Sequence, residues 1–173
     1  ASHNDASFGT AYTQTLLVAY GGLSGENYFL QHHNPLNNER LQRHFPRRQL
    51  DQKLWRHNMM IQDDDWRFQE TARDGAGLAT DGTLVTLGAH GQLQGMGAHW
   101  ELWALGGPGA MSPHEALRAG TLSGARYMGL DHQLGSIEVG KLADLIILNS
   151  NPLDDLHNSA DIALVIKNGE VFE

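Results

Sequence analysis

The last forty residues constrain the fold more than any other part of this sequence. Leu145-Ile-Ile-Leu148 is a short apolar run, Ile162-Ala-Leu-Val-Ile166 is another, and Asn168-Gly169 separates the second from Glu170-Val-Phe172. Apolar, β-branched runs this short fit buried strands and are too brief for ordinary buried helices. Asn-Gly is the dipeptide that a two-residue type I′ hairpin turn demands, because both of its positions need positive φ. The pattern predicts a small β unit from about Leu134 to the end: a strand, a second strand, a tight turn and a returning strand.

Composition sets the outer bounds. The chain has 173 residues, enough for one ordinary domain with a real core. A hydrophobic fraction of 40% and 4 Trp describe a folded chain, not a disordered one. Lys and Arg number 12 against 20 Asp and Glu, for a formal net charge of -8. That balance offers no electrostatic footprint for nucleic acid and argues against an anionic membrane surface as partner. There is no apolar run of ~18 residues and no signal-peptide pattern. The sequence opens on Ala1, as a processed or cloned piece does. Cys is absent, which excludes a disulfide scaffold and thiolate metal sites.

Upstream of the β unit, strand and helix signals alternate. Thr10 to Ala19 reads as a buried strand closed by Gly21-Gly22. Ser24 to Asp51 reads as a long loop with short helical turns. Leu54 to Ala79 is predicted helical, with Trp55, Met59, Trp66, Phe68 and Leu78 as its apolar contacts. Asp63-Asp-Asp65 suits the start of a second helix there, and Gly75 and Gly77 weaken its end. Thr83 to Leu87 is a short strand after the Asp81-Gly82 turn, and Trp100 to Leu105 a helix. Ser112-Pro-His-Glu115 is a capping box with Pro at the first helical position. The helix it opens is expected to run to Met128 and stop at Gly129.

Several of these segments carry a resemblance. Gly135-Ser-Ile-Glu-Val-Gly-Lys-Leu-Ala-Asp144, Asn151-Pro-Leu153 and Asn168-Gly169 resemble the C-terminal signature of the amidohydrolase superfamily. Pro113-His-Glu-Ala-Leu117, Thr121 and Gly129 are similar to that family's last barrel helix, with Gly120 where Ala is usual. Leu87 to Gly95 and Gly97 to Leu102 look closest to amidohydrolases that follow a β-propeller domain in larger exported proteins. Thr10 to Val18 resembles the seventh barrel strand. The resemblance implies an α/β fold: the last strands and helices of a partial (β/α)8 barrel over residues 1–133, then a small β-sandwich segment over 134–173. It assigns Asp144 to fixing the loop before a strand, and it points to a periplasmic or extracellular location.

The resemblance also implies a chemistry. Such enzymes hold one or two divalent ions on a His-x-His pair and on further Lys, Glu, His and Asp residues, and the ions activate a water. A divalent metal, zinc foremost, and a small amide or peptide-like substrate follow for the intact enzyme. The sequence has no His-x-His. His32 and His33 are adjacent, so their rings diverge on any regular element. His114-Glu115 fails the zinc-protease pattern, because the fourth residue after His114 is Arg118. The first six barrel strands have no counterpart, so the metal ligands stay unassigned and this chain alone can lack the metal.

Two histidines stand out as candidates. His90 follows the Leu84–Leu87 strand, at the position where the superfamily commonly places a metal-linked Asp, and barrel active sites lie at that end of the strands. An imidazole there can ligate metal, accept a proton or hydrogen-bond substrate; the plainer reading is a ring that satisfies carbonyls of a Gly-rich turn. His99 is the substrate-binding candidate, although helix packing explains His99 and Glu101 more simply. Trp55, Trp66, Trp100 and Trp103 read as core. His32, His33, His44 and His57 read as solvated loop residues. Gly91, Gly95 and Gly97 lack the Lys-Ser/Thr of a phosphate loop. Three readings remain open: an incomplete C–N hydrolase, inactive alone; a subunit that completes a barrel with another chain or copy; and a non-catalytic binding or assembly module.

Overall fold

Two separate sheets organise the chain. The computed structural model describes residues 10–18, 25–54, 62–90 and 93–172. Strand β1 (Ala11–Gln14) pairs in parallel with β2 (Leu84–Leu87), Ala11 opposite Leu84 and Gln14 opposite Leu87. A parallel pair needs a long crossover. Here it contains helices α1 (Gly25–His32), α2 (Glu39–His44), α3 (Arg47–Leu54) and α4 (Phe68–Thr80). Helix α5 (Met96–Leu105) follows β2 and is buried continuously from Trp100 to Leu105. Leu16, Leu17, Phe29, Leu50, Trp66, Phe68, Val85, Trp100 and Leu105 belong to one buried cluster around it.

Several expectations need correction. The first strand ends at Gln14, and the chain turns into a 3-10 helix at Leu16–Val18. The backbone amides of Leu16 and Leu17 find a side-chain acceptor there, so they leave the strand ladder. The segment 25–54 is mostly helical. Asn34 and Asn38 cap its short helices with their side chains, and Phe29, Leu41 and Leu50 bury one face. Asp63–Asp65 form a separate 3-10 turn, and extended backbone at Trp66 keeps that turn from joining α4. Helix α4 runs through Gly75 and Gly77 to Thr80, close to the expected end at Ala79. Gly75 sits where the Gln14 side chain crosses the helix; a Cβ would lie 1.8 Å from Gln14 Nε2. That amide donates to the Thr71 carbonyl at 2.8 Å. Helix α5 starts one turn before the expected Trp100. Trp55, Met59 and His57 lie outside the described residues, as do Ala19 and Gly91.

The capping box forms with both halves present. Ser112 N donates to Glu115 Oε2 at 2.9 Å, and Glu115 N donates to Ser112 Oγ at 3.4 Å. Helix α6 (Pro113–Arg118) passes through a π turn (Ala119–Ser123) into α7 (Gly124–Tyr127). Gly129, at φ 71°, closes it, as expected.

The C-terminal unit is a three-stranded antiparallel sheet, β3 (Leu145–Leu148), β4 (Ile162–Lys167) and β5 (Glu170–Phe172) in that order. Asn168 and Gly169 make the turn with φ of 52° and 85°. Asp144 accepts from Asn168 N at 2.7 Å and from Lys167 Nζ, so it ties the approach to β3 onto the β4–β5 turn. Both faces of this sheet are apolar: Ile146, Val165 and Phe172 are cross-strand neighbours in one row, and Leu145, Ile166 and Val171 in the next. Among the described residues no helix is long and apolar enough to cross a membrane.

Candidate functional site

Because β1 and β2 are parallel, their C-terminal ends lie side by side and the segments leaving them meet. Gly88 is the point of closest approach. A Cβ at Gly88 would lie 2.7 Å from the Gln14 carbonyl oxygen and 2.9 Å from Thr15 Oγ1. Thr13 Oγ1 and Thr86 Oγ1 are hydrogen-bonded across the pair at 2.6 Å. His90 emerges two residues after Gly88, exposed, with φ 51°. A non-glycine residue held in left-handed backbone costs on the order of 1–3 kcal/mol, and such residues cluster at functional sites.

The residue that sequence reasoning undervalued is Glu101. Its side chain has no exposure to solvent. Oε1 accepts from Leu16 N at 2.6 Å and Oε2 from Leu17 N at 3.0 Å. Burial pushes its carboxyl up to about 8, against the two amide bonds, which favour the charged form. A signal for this was present in the sequence: one carboxylate stands among Trp100, Leu102, Trp103, Ala104 and Leu105, so a helix buried on every side must bury it too.

His99 is placed elsewhere. Its Nδ1 is 3.0 Å from Ser159 Oγ, which also accepts from Trp103 Nε1 at 3.0 Å. Burial lowers the pKa of His99 and favours its neutral ring. His99 and Ser159 line a cleft of about 660 Å³ between α5, the π turn and β3, and His90 is not part of its lining. The two candidate histidines therefore do not share that cleft. His33 departs from the solvated loop expected of it. Its half-buried ring lies 5.3 Å from Trp103 and 5.5 Å from His157, centroid to centroid. Burial, then the neighbouring His157 and His32, lower its pKa. His44 is exposed, as expected. Trp66, Trp100 and Trp103 are core.

A catalytic divalent ion commonly takes about three protein ligands and keeps a position open for water. Among the described residues no group of three His, Cys, Asp or Glu side chains is arranged to hold one. Glu101 has both oxygens committed to backbone amides. The donors among the described residues do not fit a metal centre by themselves.

Comparison with known proteins places the chain in a family. Over 44 residues the chain is 52% identical to a 5′-deoxyadenosine deaminase of Methanobrevibacter smithii, covering 25% of this chain and 10% of that one. Over 40 residues it is 48% identical to an imidazolonepropionase of Symbiobacterium thermophilum, covering 23% and 9%. The chain thus spans about a tenth of the length of these curated relatives. A putative prolidase from Bifidobacterium longum superposes with a TM-score of 0.54 at 32% identity, over 65% of this chain and 30% of that one. A prolidase complexed with N-methylphosphonate-L-proline matches in fold over 95% of this chain and 35% of its own, with a TM-score of 0.57 and 23% identity. The model of the amidohydrolase family matches residues 25–172, most of the sequence, and this chain belongs to that family.

Proposed function

We propose that this chain forms the closing strands and the C-terminal β unit of a hydrolase that cleaves C–N bonds in small amide or peptide-like substrates, and that it is inactive alone. The observation that carries the reading is the position of His90: exposed, in left-handed backbone, just beyond the C-terminal end of a parallel strand pair. Barrel enzymes place their chemistry at that end. There an imidazole can hydrogen-bond a substrate carbonyl, or take a proton from attacking water and return it to the departing amine. The prolidase and deaminase relatives support the C–N class. In this reading β1 and β2 are the last two strands of a barrel.

Amidohydrolases are generally metal-dependent. The donors described here do not amount to a metal site, so this proposal routes no step through one; the ligands, zinc foremost among the ions, would be supplied by the rest of the barrel. The apolar rows left uncovered on the β3–β5 sheet favour one variant of the same reading, in which another chain or another copy supplies the missing layers. The likeness to propeller-fused, exported members belongs to the proposal as well.

The test has two arms. The 173-residue chain and the whole protein are assayed on aminoacyl amides and dipeptides with zinc, manganese and cobalt. The chain alone is expected to show no turnover, and His90→Ala in the whole protein to lower kcat on the order of 100-fold. Metal-dependent turnover by the 173-residue chain sinks the claim of incompleteness. Unchanged turnover in the variant returns His90 to the role of a ring satisfying its own turn.

A further inference from the structure

Three segments meet around the strand ends, and Glu101 joins two of them by hydrogen bonds. The first is the end of β1 with its 3-10 turn, residues 13–17. The second is the approach to His90, residues 88–90. The third is the face of α5 that carries Gly97 and Glu101, one turn apart. A Cβ on Gly97 would lie 3.5 Å from Leu17 Cδ1 and 3.6 Å from the Ala89 carbonyl oxygen, so α5 touches the other two segments at once. Gly88 is pressed against Gln14 and Thr15 with no room for a side chain. One turn along, the Glu101 carboxyl group pins Leu16 and Leu17 to the same helix.

We infer that Glu101 is a positioning residue for His90: it locks the turn after β1 onto α5, and that turn, through Gly88, fixes where His90 stands. The inference rests on the reading of His90 as a site residue. The side-chain chemistry is specific. Two successive amides point at one buried carboxyl group, which offers an oxygen to each; a side-chain amide has one oxygen and turns its own N–H toward the other donor. A fully buried polar group is costly unless its partners are complete. Loss of one partner frees the turn, and the frame around His90 loosens with it. Glu101 touches neither substrate nor reacting atoms in this scheme; its effect travels through backbone.

A double-mutant cycle in the whole protein tests this, with Glu101→Gln, His90→Ala and the pair assayed on a dipeptide substrate. Glu101→Gln is expected to lower kcat about 10-fold, with KM changed by less than about 2-fold. In the His90→Ala background the same change is expected to cost less than about 2-fold, because the residue it positions is gone. Equal losses in both backgrounds overturn the positioning role and leave the reading of His90 intact. A His90→Ala variant as active as wild type instead overturns that reading, and this inference falls with it. Melting temperature and amide exchange at Leu16 and Leu17 control for folding. If Glu101→Gln does not fold, Glu101→Asp keeps the carboxylate, shortens its reach and enters the same cycle. A readout free of turnover uses the 173-residue chain: the amide and ring resonances of His90 should move in the Glu101 variant, and unmoved resonances overturn the proposal.

Discussion

Strands β2 and β3 have the same length and nearly the same apolar character, Leu84-Val-Thr-Leu87 and Leu145-Ile-Ile-Leu148, yet their central residues meet opposite environments. Val85 and Thr86 are each 4% exposed, whereas Ile146 and Ile147 are 57% and 44% exposed. The strand with the more hydrophobic centre is the more exposed one. Composition therefore states what a strand requires, and the layers around it decide whether the requirement is met. β2 lies beside β1 and packs against α4, α5 and the π turn. β3 packs against β4 and the 3-10 helix at Leu156–Ala160, and its apolar rows continue to Val165, Val171 and Phe172, all exposed. A monomeric soluble protein rarely leaves so continuous an apolar surface open. Under the proposed reading, the rest of the enzyme or another copy covers this sheet.

The largest expected effect tests the well-covered side. Trp100 is fully buried and its ring lies parallel to Phe29, at 5.6 Å and 9°. Trp100→Ala should cost about 3–5 kcal/mol, read by urea or thermal unfolding. A cost under about 1 kcal/mol would mean that α5 is not the centre of the core, and the contrast between the two sheets would lose its basis.

How much of this was legible in the sequence differs by region, and the contrast between the sheets explains why. The β3–β5 sheet was readable because Asn168-Gly169 is a local device, determined by neighbouring residues; the role of Asp144, which reaches Lys167 and Asn168, came from the family resemblance. The capping box at Ser112 was readable for the same reason. The end of β1 was not, because the acceptor for Leu16 and Leu17 is Glu101, 85 and 84 positions away. Gly75 read only as a residue that weakens the helix end, because the cause of its small size, the Gln14 side chain, lies in another element. Residues 24–51 read as a long loop with short helical turns because their polar residues hid the anchors Phe29, Leu41 and Leu50, which only a tertiary partner reveals. At the candidate site, the position of His90 after β2 followed from strand order. Its left-handed backbone and the clamp at Glu101 followed from packing.

The second effect concerns pH and the buried acid that joins the strand ends. Burial raises the Glu101 carboxyl to about 8, from an ordinary 4.5. The folded chain therefore binds this proton more tightly than the unfolded chain does. The contribution is fully present below pH 4.5 and is lost as pH rises through 8. Glu101→Gln removes the titration and one of the two acceptors. The variant should be less stable than wild type at pH 5, and the gap should narrow steadily toward pH 9. Parallel stability–pH curves from denaturant melts would show that Glu101 does not titrate in this range.

The smallest expected effect lies in the exposed sheet, and it is the sharpest test of the comparison. Valine and threonine are nearly isosteric, and isoleucine and threonine share the β-branch that strands favour. Val85→Thr and Ile146→Thr thus place the same hydroxyl in two strands while keeping β-branching. At Val85 the hydroxyl enters a buried site, for a cost of about 1–3 kcal/mol. At Ile146, already more than half exposed, the lost burial should cost less than about 1 kcal/mol in the 173-residue chain. The same substitution should also reduce self-association in sedimentation, since it interrupts the Ile146–Val165–Phe172 row on a sheet with two open edges. In the whole protein the two costs should converge, because a covering layer turns Ile146 into an interior residue like Val85. If Ile146→Thr stays nearly neutral there, β3 is a surface strand by design, and the difference between the sheets reflects two finished environments instead of one finished and one awaiting its cover.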